Sequence, residues 1–433
     1  MFPIFLGSAI RLAGRKTWKG NMRVIRSIHK TDVNVDSAYP LSGVRVLDLT
    51  RIVAGPYCSM ILGDLGAEII KVERPFVGDE SRKWGPPFLP KSKDSTYFLA
   101  CNRNKKSICV DLKKGSDIIL ELAKHSDVLI ENFVPGKLAE YSLNYESVRK
   151  VAPHIIYCSI TGYGSTGPYK DKPGYDVIAA SVGGLLHITG PEDGSPAKVG
   201  VAMTDIATGL YAHGAILAAL YQRDRTGVGQ KIDVNLLSTQ LACLINVSSN
   251  FLNAGKEAQR RGTAHESIVP YQCFKTKTGY LTVGAGSDDQ FQAFCDLLLL
   301  VDIKKDPRFA NNQGRVKHRK ELIDILDKKF LEKSTDEWMS IFKSAPFPVG
   351  PVNDIKEAFS DHHVQSIGIV KELSHTTDGS VKVVGPPVVF SHAKNTVRSA
   401  PPILGQHTEE VLTDLLDYSE EHLKSLRAKN IIQ

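Results

Sequence analysis

Paired cysteines, long apolar runs and nucleotide-binding signatures are all missing from this sequence. Seven cysteines (Cys58, Cys101, Cys109, Cys158, Cys243, Cys273 and Cys295) are scattered, odd in number and never spaced C-x-x-C. Reduced thiols follow, and both a disulfide framework and a structural zinc site are disfavoured. No apolar run approaches the roughly 20 residues that cross a bilayer, so no membrane insertion is expected. There is no Walker loop, no G-x-S-x-G elbow and no H-E-x-x-H pair. Gly162-Tyr-Gly-Ser-Thr-Gly167 does match the letters of a dinucleotide fingerprint. That fingerprint needs a helix to begin at once, so that its N-terminus faces the pyrophosphate. Pro168, Pro173 and Gly174 leave no room for one, and NAD binding is not expected.

Acidic residues are absent from the first 31 positions, which hold seven basic ones: Arg11, Arg15, Lys16, Lys19, Arg23, Arg26 and Lys30. Removing those seven from 54 Lys and Arg leaves 47, against 47 Asp and Glu. The whole formal excess of +7 therefore sits in the leader. A basic, acid-free start with apolar residues between the charges reads as a mitochondrial presequence, here over residues 1–38, and places the protein in the matrix. A disordered basic tail is the plainer alternative. Charges interrupt any secretory core, and a neutral body gives no support to nucleic-acid binding.

What is present is an alternation of strand and helix. Leu41–Thr50 reads as a strand, Gly55–Leu65 as a helix and Ala67–Glu73 as a second strand. The pattern recurs with strands at 107–112, 128–131 and 155–161 and a helix at 116–125. The fold class expected is α/β: a large Rossmann-like domain with a parallel sheet over residues 39–255. A smaller α+β domain is expected over 262–380. A connection over 381–433 then ends in a last helix at Glu409–Leu416.

Two places point to chemistry. Arg51-Ile-Val-Ala-Gly-Pro56 delivers the first strand to a helix start, where backbone amides and the helix dipole favour an anionic ligand. Arg74, Lys105, Lys106, Lys113 and Lys137 lie near strand ends or helix starts of the same unit and suit separated phosphates. They also read as ordinary solvated cations. Asp205 follows an apolar approach, Val199-Gly-Val-Ala-Met-Thr204, and is expected to open a helix whose buried side holds Ile206, Leu210, Ile216, Leu217 and Leu220. An N-cap is the plain reading of Asp205. A helix start also keeps a carboxylate ionised, and an ionised carboxylate can be a nucleophile.

Taken in order, several segments resemble the class III CoA-transferases, the family of formyl-CoA transferase and carnitine CoA-transferase. They include Ala54-Gly-Pro56, Leu65–Arg74, Asn102–Ser107, Glu131-Asn-Phe133, Pro173-Gly-Tyr-Asp176, Asp205, Gly227–Gln230, Pro348–Asn353 and Leu404–Thr408. The resemblance implies that Asp205 attacks an acyl-CoA thioester and carries the activated acyl group as an anhydride. It implies CoA contacts at Arg51, Ile52, Val53, Ala54, Arg74, Val110, Lys113, Asn132 and Phe133. Lys137 stands near where some members place a basic residue, a position that Glu140 fills here. Tyr175 would support the nucleophile or simply fill a loop. A CoA thioester is then the substrate, with no permanently bound cofactor and no metal, and the protein is an interlocked homodimer. Within the family the chain is similar to enzymes that pass CoA from succinyl-CoA to glutarate or related dicarboxylic acids.

Two rivals share the fold. An α-methylacyl-CoA racemase needs an acid and a base on opposite sides of the α-carbon, and the family pattern puts a His where this chain has Tyr175, a weak base at neutral pH. A catalytically inactive CoA-binding protein would not need Asp205.

Overall fold

Short apolar runs, each closed by a turn, build the parallel sheet. The computed structural model describes residues 38–433. The leader expected at 1–38 falls outside them but for its last residue. The sheet holds six strands: β1 (Arg45–Asp48), β2 (Glu68–Glu73), β3 (Lys105–Cys109), β4 (Val128–Glu131), β5 (Ile156–Thr161) and β6 (Gln230–Asn235). Their spatial order is β3-β2-β1-β4-β5-β6, and every pairing is parallel. In register, Leu47 of β1 faces Ile70 of β2 on one side and Leu129 of β4 on the other. This is a doubly wound sheet, and the order reverses between β1 and β4.

Side chains alternate across the sheet, so each strand feeds two cores. Leu47, Ile70, Leu129 and Tyr157 join one layer, which helices α3 (Ser116–Lys124) and α4 (Tyr145–Val151) cover. Val46, Ile69, Ile130 and Ile156 join the other, under α1 (Ala54–Asp64) and α7 (Met203–Thr226). Between these elements lie α2 (Thr96–Leu99), α5 (Asp176–Val182) and α6 (Leu185–Ile188).

The helix α7 departs from the expected pattern. It begins at Met203, so Asp205 is its third residue and does not cap it. Its buried side is built mainly of small residues, including Thr208, Gly209, Ala212 and Ala219, with Ile216 and Leu220, while Leu210 is exposed. Close approach explains this. A Cβ on Gly209 would lie 2.7 Å from the carbonyl oxygen of Ala54, so a larger side chain there would push α7 off α1.

A separate aromatic core follows. Strands β7 (Tyr271–Lys275), β8 (Tyr280–Gly284) and β9 (Val349–Pro351) form an antiparallel sheet. Phe274, Phe291, Phe294, Phe330 and Trp338 pack beneath it. Beyond it, the hairpin β10–β11 (Val370–His375 and Gly379–Val384) lays Leu373 and Val381 against Phe98 of α2. The chain does not end in the single helix expected. Thr408–Leu416 is followed by a second helix, Glu420–Ala428, which buries only Leu423 and Leu426.

Candidate active site

The first half of the site is the turn after β1, at the point where the strand order reverses. Asn132, after β4, brackets Arg51: its Oδ1 accepts from the Arg51 amide at 3.0 Å, and its Nδ2 donates to the Arg51 carbonyl at 2.8 Å. The Arg51 guanidinium sits 4.8 Å from the centre of the Phe133 ring, and its Nη1 donates to Glu80 at 2.6 Å. Ile52 takes a φ of +74°, a conformation that a β-branched residue rarely adopts. Asp79 holds it there by accepting from the Ile52 amide at 3.0 Å. Lys71 in turn donates to Asp79 at 2.9 Å and to the Thr50 carbonyl at 2.8 Å. Strain of this kind, on the order of 1–3 kcal/mol, persists only where the surroundings over-determine it.

The clamp has a purpose at the next residues. The amides of Val53, Ala54 and Gly55 open α1 and have no acceptor among the described residues. They form a donor cluster aimed at whatever lies over the helix start.

Beneath this turn runs a buried charge network. Lys105 donates to Asp48 at 3.1 Å and to the Pro56 carbonyl at 2.9 Å, and Thr50 and Ser59 also donate to Asp48. Burial opposes the Asp48 charge, but Lys105 and Lys71 hold its carboxyl down to about 2. Burial pulls Lys105 down to about 8, which Asp48 offsets in part. Lys105 is therefore a structural cation: it starts β3, and its ammonium is taken up by Asp48 and the Pro56 carbonyl. Lys106 likewise pairs with Glu68 and Glu410.

The second half of the site is Asp205. It is 8% exposed, and its carboxylate has no hydrogen-bond partner among the described residues. Burial pushes it up to about 7, and the neighbouring Asp176 carboxylate adds to that. The helix start does not keep it firmly ionised, as the sequence had suggested, because burial dominates. Gly209, one turn further along α7, packs against Ala54, the first residue of α1. Tyr97 of α2 is a third member. Burial first, then Cys101, then the charges of Asp205 and Asp176 raise its hydroxyl.

The remaining expected residues lie along the same sheet edge with varied surroundings. Arg74 follows β2 and is exposed. Val110 is buried and bridged to Ile432, while Lys113 is exposed. Lys137 already pairs with Glu140 at 2.7 Å. Tyr175 immediately precedes α5 and is 55% exposed. Sequence reasoning missed Tyr97, Asp79 and the capping role of Asp176. One clue was available: Ala202, just before α7, has no side-chain acceptor, so the orphan amides of that helix needed one from elsewhere.

A family model described as CoA-transferase family III matches residues 41–408. The chain belongs to that family. It is 52% identical over 422 residues to the succinyl-CoA:glutarate CoA-transferase of Mus musculus, covering 97% of this chain and 94% of that one. The Homo sapiens protein of the same name is 50% identical, over 98% and 94%. Among solved structures, a CAIB/BAIF family protein from Brucella suis superposes with a TM-score of 0.80 at 39% identity, covering 87% of this chain and all of that one.

As a CoA-transferase of family III, the protein takes a CoA thioester as substrate. The exposed cations and the free amides at the sheet edge have the right chemistry for its phosphates and its thioester carbonyl. A cavity of about 330 Å³ opens beside Glu131 and Val134 at that edge. Glu131, Glu146 and Asp233 line it with Lys231, a net acidic lining poorly suited to phosphates.

Proposed function

We propose that this protein moves CoA from succinyl-CoA to glutarate through an anhydride on Asp205. The observation that carries this is a buried carboxylate left without donors, on a helix that packs against the start of α1, where three backbone amides are unused. The names of its half-identical relatives support the choice of substrates. A carboxylate oxygen of Asp205 attacks the thioester carbon, and the amides at the start of α1 receive the oxyanion. The C–S bond then breaks and CoA leaves as thiolate. Thiolate attacks the aspartyl carbonyl, releasing succinate and leaving an aspartyl-CoA thioester. A glutarate carboxylate displaces the thiolate again, and attack on the glutaryl carbonyl yields glutaryl-CoA and frees Asp205. Exclusion of water protects each anhydride.

Within this reading, Arg51, Ile52, Val53, Ala54, Asn132 and Phe133 hold the pantetheine end, and Arg74, Val110 and Lys113 the nucleotide end. Lys137 is the weakest member, because Glu140 already neutralises it. The large domain (39–255) carries CoA and nucleophile, and the small domain (262–380) closes over them. Residues 381–433 return to the large domain. The homodimer is supported by exposed apolar residues: Ile245, Phe251 and Leu252 near the end of the large domain, and Val389 and Phe390 in the connection after the small one. Import into the mitochondrial matrix follows from the basic leader.

The test is product analysis of purified protein with labelled succinyl-CoA and glutarate. Glutaryl-CoA is the expected product. Bound CoA without transfer would favour an inactive binding protein. Exchange of the α-proton of a 2-methylacyl-CoA without transfer would favour a racemase.

A further inference from the structure

Helix α7 starts without a cap of its own. Ala202 precedes it, and alanine offers no side-chain acceptor. The missing acceptor arrives from 28 residues earlier in the chain, at the first position of α5. Oδ1 of Asp176 accepts from the Thr204 amide at 2.8 Å and from the Asp205 amide at 3.1 Å. This satisfies two of the orphan amides of α7. It also frees Asp205 from the local capping bond that an aspartate near a helix start usually makes.

We propose that Asp176 is a positioning residue for the nucleophile: it caps α7 in place of Asp205 and sets a second negative charge beside it. The proposal rests on the reading of Asp205 as nucleophile. Around Asp205 the charged and titratable neighbours are Asp176 from α5 and Tyr97 from α2, and no Lys, Arg or His bonds to it among the described residues. No side-chain cation therefore offsets the repulsion. Its direction agrees with the raised proton affinity of Asp205, for which burial is the larger cause and Asp176 the second.

The consequence is chemical. When the Asp205 oxygen bonds to the thioester carbon and thiolate departs, the Asp205 carboxylate becomes a neutral anhydride. Repulsion from Asp176 is relieved along that path and returns only when the free carboxylate is regenerated. Asp176 thus favours the acylated enzyme over the resting one. It also makes Asp205 a more basic, and so more nucleophilic, carboxylate. A cap with no such charge would hold the helix equally well without either effect.

The experiment is the pH profile of kcat/KM for succinyl-CoA in the full chain and in Asp176→Asn. Asparagine keeps an oxygen for the two amides and removes the charge. The acid limb is expected to move to lower pH. Activity at pH 6, relative to each protein's own plateau, then rises about threefold, the effect of a half-unit displacement. The plateau itself falls. Asp176→Glu keeps the charge and should keep the wild-type limb. Asp176→Ser, a second uncharged acceptor, covers the case in which the asparagine variant does not fold. An acid limb unmoved in a folded uncharged variant overturns the proposal and leaves Asp176 a plain cap. Asp205→Ala separates the two readings. Transfer by that variant sinks the nucleophile itself, whereas an inactive Asp205→Ala beside an unmoved limb sinks only the role of Asp176.

Discussion

Asp48 and Asp205 are both buried aspartates of one domain, yet their surroundings drive them in opposite directions. Asp48 ends β1 with two lysines and two hydroxyls around it, and its carboxyl is held down to about 2. Asp205 has no donor on its carboxylate and a second aspartate beside it, and it rises to about 7. Burial is the largest influence on both, so burial alone does not decide what a carboxylate does. Donors and cations turn Asp48 into scaffold. Their absence leaves the Asp205 lone pairs unused. The same contrast separates the turn at Arg51–Val53, pinned from several sides, from the proposed nucleophile. On the proposed reading, the binding end is built in advance and the reacting end is left open.

The contrast breaks most visibly in activity. Asp205→Ala should lower CoA transfer by at least about 10³-fold, a barrier increase of about 4 kcal/mol, with the fold retained. Steady-state assays beside a thermal melt check both halves. Lys105→Met attacks the other aspartate. It strands a buried Asp48 charge and should cost about 3–5 kcal/mol of stability in denaturant unfolding, since removing one partner of a buried pair is expensive. A loss below about 1 kcal/mol would mean that Asp48 does not depend on its lysine.

The pH dependence of stability sharpens the comparison further. The folded state binds the Asp205 proton more tightly than the unfolded chain, because its carboxyl rises from 3.8 to about 7 on folding. This contribution is fully present below about pH 4 and is lost as pH rises through about 7. Asp205→Asn removes the titration, so the variant should gain on wild type across that window and level off above it. The expected gain is on the order of 1–4 kcal/mol. Unfolding at pH 5 and pH 8 measures it, and an equal difference at both pH values would contradict it. The smallest effect is at the clamp. Asn132→Ala should raise KM for the CoA thioester roughly tenfold with kcat little changed, as two hydrogen bonds of about 1 kcal/mol each are lost. A fall in kcat alone would place Asn132 in the chemistry.

Much of this was legible beforehand, for reasons that can be named. The strands at 128–131 and 155–161 were plain because fully buried parallel strands are continuous apolar runs. The turn from Arg51 to Ala54 was plain because a strand leading into a helix start has few conformations and a known use. Asp205 stood out only through the ordered family segments, since its local sequence said helix cap. What stayed hidden depends on contacts between distant positions. No local pattern joins Asp176 to the amide of Asp205, brings Tyr97 near both, or makes Asp79 the support of Ile52. On the buried face of α7 Ile216 and Leu220 were foreseen but Thr208, Gly209 and Ala212 were not, because its packing partner α1 selects small residues there. Lys105 looked like a phosphate ligand until its partner, Asp48, was seen.

The most direct measurement is chemical trapping on Asp205. The protein is incubated with succinyl-CoA and hydroxylamine, digested, and its peptides are weighed by mass spectrometry. The expected result is an aspartyl hydroxamate at Asp205, formed only when succinyl-CoA is present. An unmodified Asp205 in protein that is turning over succinyl-CoA, or a hydroxamate on a different carboxylate, would contradict the covalent role of this residue.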